Sequence, residues 1–139
     1  MSEKKFNTLL IEDNPDHAML IRSILCKCTQ VAKVQIASDG QRAINLLKDT
    51  GNSTLPDLVI LDIKLPKVSG FEVLSIYKNN ERSCHIPIIV LSTSGIDRDK
   101  TKALALGADY YLIKPNDFQI LHKQFCSILS KISTGAMVS

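Results

Sequence analysis

The sequence predicts an α/β fold, a doubly wound parallel sheet of five strands with helices on both faces. Short apolar runs alternate five times with segments of helical period, the order βαβαβαβαβα. Each crossover between runs is long enough to hold a helix, as parallel strands require. The third run, Leu58-Val59-Ile60-Leu61, is unbroken, as in strands covered on both faces.

The elements follow in chain order. Thr8 to Ile11 forms the first run and ends in Glu12-Asp13. Asn14 then caps a helix, and Pro15 suits its first turn. Ala18, Ile21, Leu25 and Cys28 share one face of that helix, widened by Leu20 and Ile24. Val31 to Ala37 alternates apolar and polar residues, the pattern of an edge strand. Ser38-Asp39-Gly40 leads to a helix carrying Ala43, Ile44, Leu46 and Leu47, closed near Gly51. Leu58 to Leu61 ends at Asp62, and after the loop Lys64 to Ser69 a helix begins at Gly70 with Phe71, Val73, Leu74, Ile76 and Tyr77. Pro87 to Leu91 ends at Ser92. A helix from about Asp97 to Leu106 is stopped by Gly107, which suits a left-handed cap. Tyr110 to Ile113 ends at Lys114-Pro115. The last helix, from about Asp117, places Phe118, Leu121, Phe125, Ile128 and Ile132 on one stripe.

Composition narrows the function classes. The 139 residues read as one domain, 1–139, with a core over about 6–132 and a frayed tail over 133–139. Hydrophobic residues at 45% and charged residues at 22% exclude disordered and low-complexity readings. The net charge of +3 comes from scattered Lys and Arg rather than a basic stripe, so direct nucleic-acid binding is not expected. Nothing approaches a membrane span or an apolar signal core, and a cytoplasmic, reducing setting is the expectation. Cys26-x-Cys28 lacks metal or redox spacing, so Cys26, Cys28, Cys84 and Cys126 read as reduced thiols filling core and surface positions. His85 and His122 read as loop and helix-surface residues, and His17 as a structural or solvated residue near the acidic pair.

The polar residues at the strand ends carry the functional signal. Glu12, Asp13, Asp62, Ser92 and Lys114 all follow apolar runs, and a parallel sheet brings its carboxyl ends to one edge, where ligands bind. Three carboxylates there repel unless a cation relieves them. With oxygen donors alone, that cation should be hard, and Mg²⁺ fits best. Lys114 and Ser92 offer an ammonium and a hydroxyl to an anion, and a phosphoryl group meets each requirement. Taken singly, each residue has an ordinary reading, such as a loop hydroxyl for Ser92 or a solvated strand-end lysine for Lys114. Together on one edge they form a site.

The set Glu12-Asp13, Asp62, Ser92 and Lys114-Pro115 resembles the receiver domain of two-component response regulators over about Phe6 to Ile132. The resemblance implies a flavodoxin-like (βα)5 fold with strand order 2-1-3-4-5. It implies that Asp62 is the phosphoacceptor, attacking the phosphohistidine of a sensor histidine kinase or a histidine phosphotransfer protein. Asp13 and Asp62 would bind Mg²⁺ with the backbone carbonyl of Lys64, and Glu12 would act through water. Lys114 and Ser92 would contact the phosphoryl group, Tyr111 would be the aromatic switch, and the bond before Pro115 would be cis. Lys64 and Ser94 would flank the path of hydrolytic water. The surface of the fourth helix, fifth strand and fifth helix would carry the switched state to a downstream protein or a phosphorelay. No output domain is expected to follow, and no separate substrate turnover is expected, so the chain is not read as an enzyme. Regulators of this kind with Asn-Pro-Asp after the acidic pair often partner sensor kinases, phytochrome-type ones included. Dimerisation through the last helix is left open.

Three other readings are open to this pattern. A metal-dependent phosphatase would need a second carboxylate where Lys64 stands. A flavodoxin-like cofactor binder would need a phosphate loop where Glu12-Asp13-Asn14 would repel phosphate. A pseudo-receiver interaction module, folded alike but never phosphorylated, is the serious alternative, and the complete acidic and lysine set argues against it.

Overall fold

Alternation of side chains along buried strands divides the apolar residues between two layers. In the computed structural model, which describes residues 5–48, 55–93 and 95–133, these strands form one parallel sheet. The strands are β1 (Phe6–Ile11), β2 (Val31–Ala37), β3 (Leu58–Leu61), β4 (Ile88–Ser92) and β5 (Tyr110–Ile113), in the order 2-1-3-4-5. The helices are α1 (Pro15–Cys26), α2 (Gly40–Lys48), α3 (Gly70–Lys78), α4 (Asp97–Ala105) and α5 (Phe118–Ser133). Leu9, Ile11, Val59, Leu61 and Val90 point into the layer that includes Ala43, Val73 and Ala103 of α2, α3 and α4. Leu10, Leu58, Ile60, Ile89 and Leu91 point the other way, into the layer with Ile21 and Leu25 of α1 and Leu121 and Phe125 of α5. This two-sided burial is why the third and fourth runs are apolar throughout.

Local chemistry sets several boundaries. The Asn14 side chain accepts hydrogen bonds from the backbone N–H of Asp16 and His17, satisfying two donors that open α1. Ser69 caps α3 in the same way through Glu72. Gly70 is required by close approach: a Cβ there would lie 2.5 Å from the Asp62 carbonyl oxygen, so only glycine lets α3 start against the end of β3. Gly107, at φ +110°, supplies the left-handed stop predicted after α4.

The structure also corrects particulars. Leu20 and Ile76, placed by periodicity on buried faces, are exposed, because a helix lying on a sheet buries a narrower stripe. Ser92 is the last residue of β4 rather than the first beyond it. No cis peptide bond occurs among the described residues, so the bond before Pro115 is trans, the isomer favoured by about 0.5–1 kcal/mol for X–Pro. Ser133, assigned to the tail, is the last residue of α5. The rest of that tail, 134–139, and Gly51 lie outside the described residues.

All four cysteines are free, as expected, with Cys28 buried and Cys26 and Cys84 exposed. Spacing gave no sign that Cys28, just past α1, meets Cys126 of α5, their Sγ atoms 3.0 Å apart. Burial, with the neighbouring Cys126 thiol, pushes the Cys28 thiol up to about 12.

Candidate functional site

The chain reverses its direction of winding between β1 and β3, the switch point where open α/β sheets hold ligands. Ile11 is in register with Leu61, so Glu12 and Asp62 leave neighbouring strands side by side. Backbone pairing continues past the strands and fixes the base of each side chain. The Glu12 N–H donates to the Ala37 carbonyl at 3.1 Å, the Asp62 N–H to the Ile11 carbonyl at 3.1 Å, and the Lys114 N–H to the Ser92 carbonyl at 2.8 Å.

The side chains then converge. Lys114 Nζ donates to Glu12 Oε1 at 2.6 Å and to Asp62 Oδ2 at 3.4 Å. The Lys64 N–H donates to Asp62 Oδ1 at 2.9 Å, and the Asn14 N–H to Glu12 Oε2 at 3.2 Å. Glu12 is 2% exposed and Asp62 8% exposed, whereas Asp13 faces solvent. One carboxylate oxygen from each of Glu12, Asp13 and Asp62 falls within 4.8 Å of the others. Burial raises the Glu12 carboxyl above its ordinary value; the Lys114 hydrogen bond opposes that shift, and the Asp62 charge adds to it. Lys114 pairs with Glu12 and Asp62 while Asp13 lies beside them, and the surplus negative charge suits a small hard cation with oxygen ligands. The residues present fit Mg²⁺.

Of the residues singled out in the sequence, Glu12, Asp13, Asp62 and Lys114 are brought together, and the backbone of Lys64 joins them. Ser92, fully buried, pairs in register with Ile113, one residue before Lys114. Tyr111 pairs with Val90, and its half-buried ring packs against the layer that includes Ala103 of α4. Pro115 follows Lys114 in a cleft shared with His17, Thr93 and Phe118. Ser94 lies outside the described residues. His17 lies beside the pocket, as expected, and meets its lysine: its Nδ1 is 3.5 Å from Lys114 Nζ. Its position three residues beyond the Asn14 cap, in the turn of α1 nearest the sheet edge, was the available signal.

Comparison with known proteins agrees with this geometry. The model of the response regulator receiver domain matches residues 8–125. The chain belongs to the response regulator receiver family. This receiver is 40% identical over 124 residues to the probable methanogenesis regulatory protein FilR2 of Methanothrix harundinacea, covering 88% of this chain and 80% of that one. It is 34% identical over 125 residues to the response regulator Rcp1 of Synechocystis, covering 88% and 85% of the two chains. Among solved structures, the phosphorylated cyanobacterial phytochrome response regulator RcpA superposes with a TM-score of 0.83 at 32% identity, over 94% of this chain and 96% of that one. The Mn²⁺-bound form of Rcp1 superposes with a TM-score of 0.80 at 33% identity, over 92% and 94%. A receiver domain is a signalling switch rather than a turnover enzyme, and receiver domains partner histidine kinases. No helix among the described residues is long and apolar enough to cross a membrane.

Proposed function

We propose that this receiver accepts a phosphoryl group on Asp62 from a histidine kinase or histidine phosphotransfer protein, in a Mg²⁺-dependent reaction. The observation that carries the reading is the Asp62 carboxylate itself. One oxygen is held by the Lys64 N–H and the other faces Lys114, beside two further carboxylates. Asp13, Asp62 and the Lys64 carbonyl would hold the cation directly, with Glu12 acting through water. The cation would offset the charge of the acidic groups and of the arriving phosphoryl oxygens. Lys114 would turn from Asp62 toward the phosphoryl group. Two relatives support the assignment: RcpA is phosphorylated and Rcp1 binds Mn²⁺.

Ser92 would hydrogen-bond the phosphoryl oxygen once it arrives, and Tyr111 would move toward the space Ser92 leaves. Shifting a two-state equilibrium from 1:99 to 99:1 requires about 5.5 kcal/mol of preference. A charge-assisted hydrogen bond contributes roughly 1.5–3 kcal/mol, so binding of a downstream protein to the α4–β5–α5 surface would complete the shift. As a single receiver domain, the chain would pass its output through protein contacts or onward phosphotransfer.

Incubation with acetyl phosphate and Mg²⁺ tests the assignment. The wild-type chain should gain ~80 Da, the mass of a phosphoryl group on the nucleophile, and Asp62→Asn or added chelator should prevent it. A wild-type chain that gains nothing would be a pseudo-receiver. Amide shifts from Ser92 to Tyr111 that stay still on adding beryllofluoride and Mg²⁺ would remove the switch.

A further inference from the structure

A second group of ligating side chains lies away from the acidic pocket, at the seam between α1 and α5. Cys28 Sγ is 3.0 Å from Cys126 Sγ, which is 3.5 Å from His122 Nε2. The three donor atoms all fall within 4.8 Å of one another. His122 and Cys126 are four residues apart on α5 and so share a face, and Cys28 meets them from two residues beyond α1. Cys28 is buried, while His122 and Cys126 are half-buried and leave one side of the group accessible. The seam is pinned further along by a hydrogen bond from Gln30 Nε2 to Ser130 Oγ at 3.1 Å.

We propose that Cys28, His122 and Cys126 form a binding site for a single thiophilic cation of the zinc class, which ties α1 to α5. Two sulfurs and one imidazole nitrogen are soft donors that select Zn²⁺ over Mg²⁺ or Ca²⁺, and three protein ligands leave a fourth position for water. Tetrahedral zinc with bonds of about 2.3 Å to sulfur and 2.0–2.1 Å to nitrogen separates two sulfurs by about 3.8 Å and sulfur from nitrogen by about 3.5 Å. The Cys126–His122 distance already meets that value. The two sulfurs need to part by about 0.8 Å, within reach of small side-chain rotations. The imidazole against Cys126 supplies the third donor that a cation site needs. Because α5 forms part of the proposed output surface, the bound cation would fix that helix against α1.

The test uses the full chain, reduced and freed of metal. Added Co²⁺ should give the intense near-ultraviolet absorption of cobalt–thiolate bonds, and one equivalent of Zn²⁺ should abolish it. Excess Mg²⁺ should leave it unchanged. Cys28→Ala and Cys126→Ser should lose the band, while Cys26→Ser and Cys84→Ser should keep it. His122→Ala, at a half-buried position, should weaken binding by at least about tenfold. Circular dichroism confirms that each variant is folded. No band in the wild-type chain overturns the proposal, as does a band that survives Cys126→Ser and His122→Ala, or one lost in Asp62→Asn. Failure to take up metal, with a Cys28–Cys126 disulfide forming in air, also overturns it and makes the pair a redox couple.

Discussion

The carboxyl-edge pocket and the α1–α5 seam both gather three ligating side chains, yet they are assembled in different ways. In the pocket, Glu12 and Asp62 leave adjacent strands whose register is set by main-chain hydrogen bonds, and Lys114 is pinned by its own N–H to Ser92. Their meeting follows from strand order and from apolar runs that end at the right residues. At the seam, Cys28, two residues beyond α1, and Cys126 on α5 stand 98 positions apart with no backbone pairing between the two helices. They meet because two helix faces rest on the same side of the sheet at a particular offset. The donors differ accordingly, hard oxygens around a lysine in one place and soft sulfurs with an imidazole in the other.

The largest effect that would sharpen this contrast is chemical. Asp62→Asn removes the nucleophile and should lower acyl-phosphate formation from acetyl phosphate by about 10³-fold or more, followed by intact mass. Lys114→Met tests whether the pocket is balanced by the Lys114 ammonium. The Lys114 side chain is 9% exposed and Glu12 2%, so its loss leaves buried charge without a partner. Urea unfolding without divalent cations should show a loss of about 3 kcal/mol, partly restored by Mg²⁺. An unchanged midpoint would break the electrostatic account.

The raised Glu12 carboxyl gives a pH dependence of definite sign. The folded protein holds that proton more tightly than the unfolded chain. The resulting stability is therefore fully present below the unfolded value of 4.5 and is lost as pH climbs through the folded value. Metal-free wild type should lose stability over that interval, and Glu12→Gln should remove this decline. Mg²⁺, which favours the ionised carboxylates, should bind more tightly toward neutral pH. The smallest expected effect belongs to the seam: Cys126→Ser should leave Mg²⁺-dependent phosphorylation of Asp62 within about twofold of wild type, since no strand end is disturbed. A large loss there would mean that the two regions are coupled.

The fold was legible because parallel strands buried on both faces leave uninterrupted apolar runs, and caps such as Asn14 and stops such as Gly107 mark the helices between them. The acidic pocket was legible for the same reason, since its residues adjoin those runs. Leu20 and Ile76 were misplaced because periodicity reports a face and not its width. The contacts of His17 and Cys28 were not legible because their neighbours, Lys114 for one and α5 for the other, are distant in the chain.

What the sequence by itself determined was the order of elements, the edge at which carboxylates collect and the oxygen character of the ligands there, because these depend on local pattern and backbone register. Only the tertiary structure decided the reach of Lys114 to both Glu12 and Asp62, the place of His17 beside it, and the meeting of Cys28 with His122 and Cys126. Those contacts depend on how side chains pack between elements far apart in the chain, and no short-range spacing records that packing.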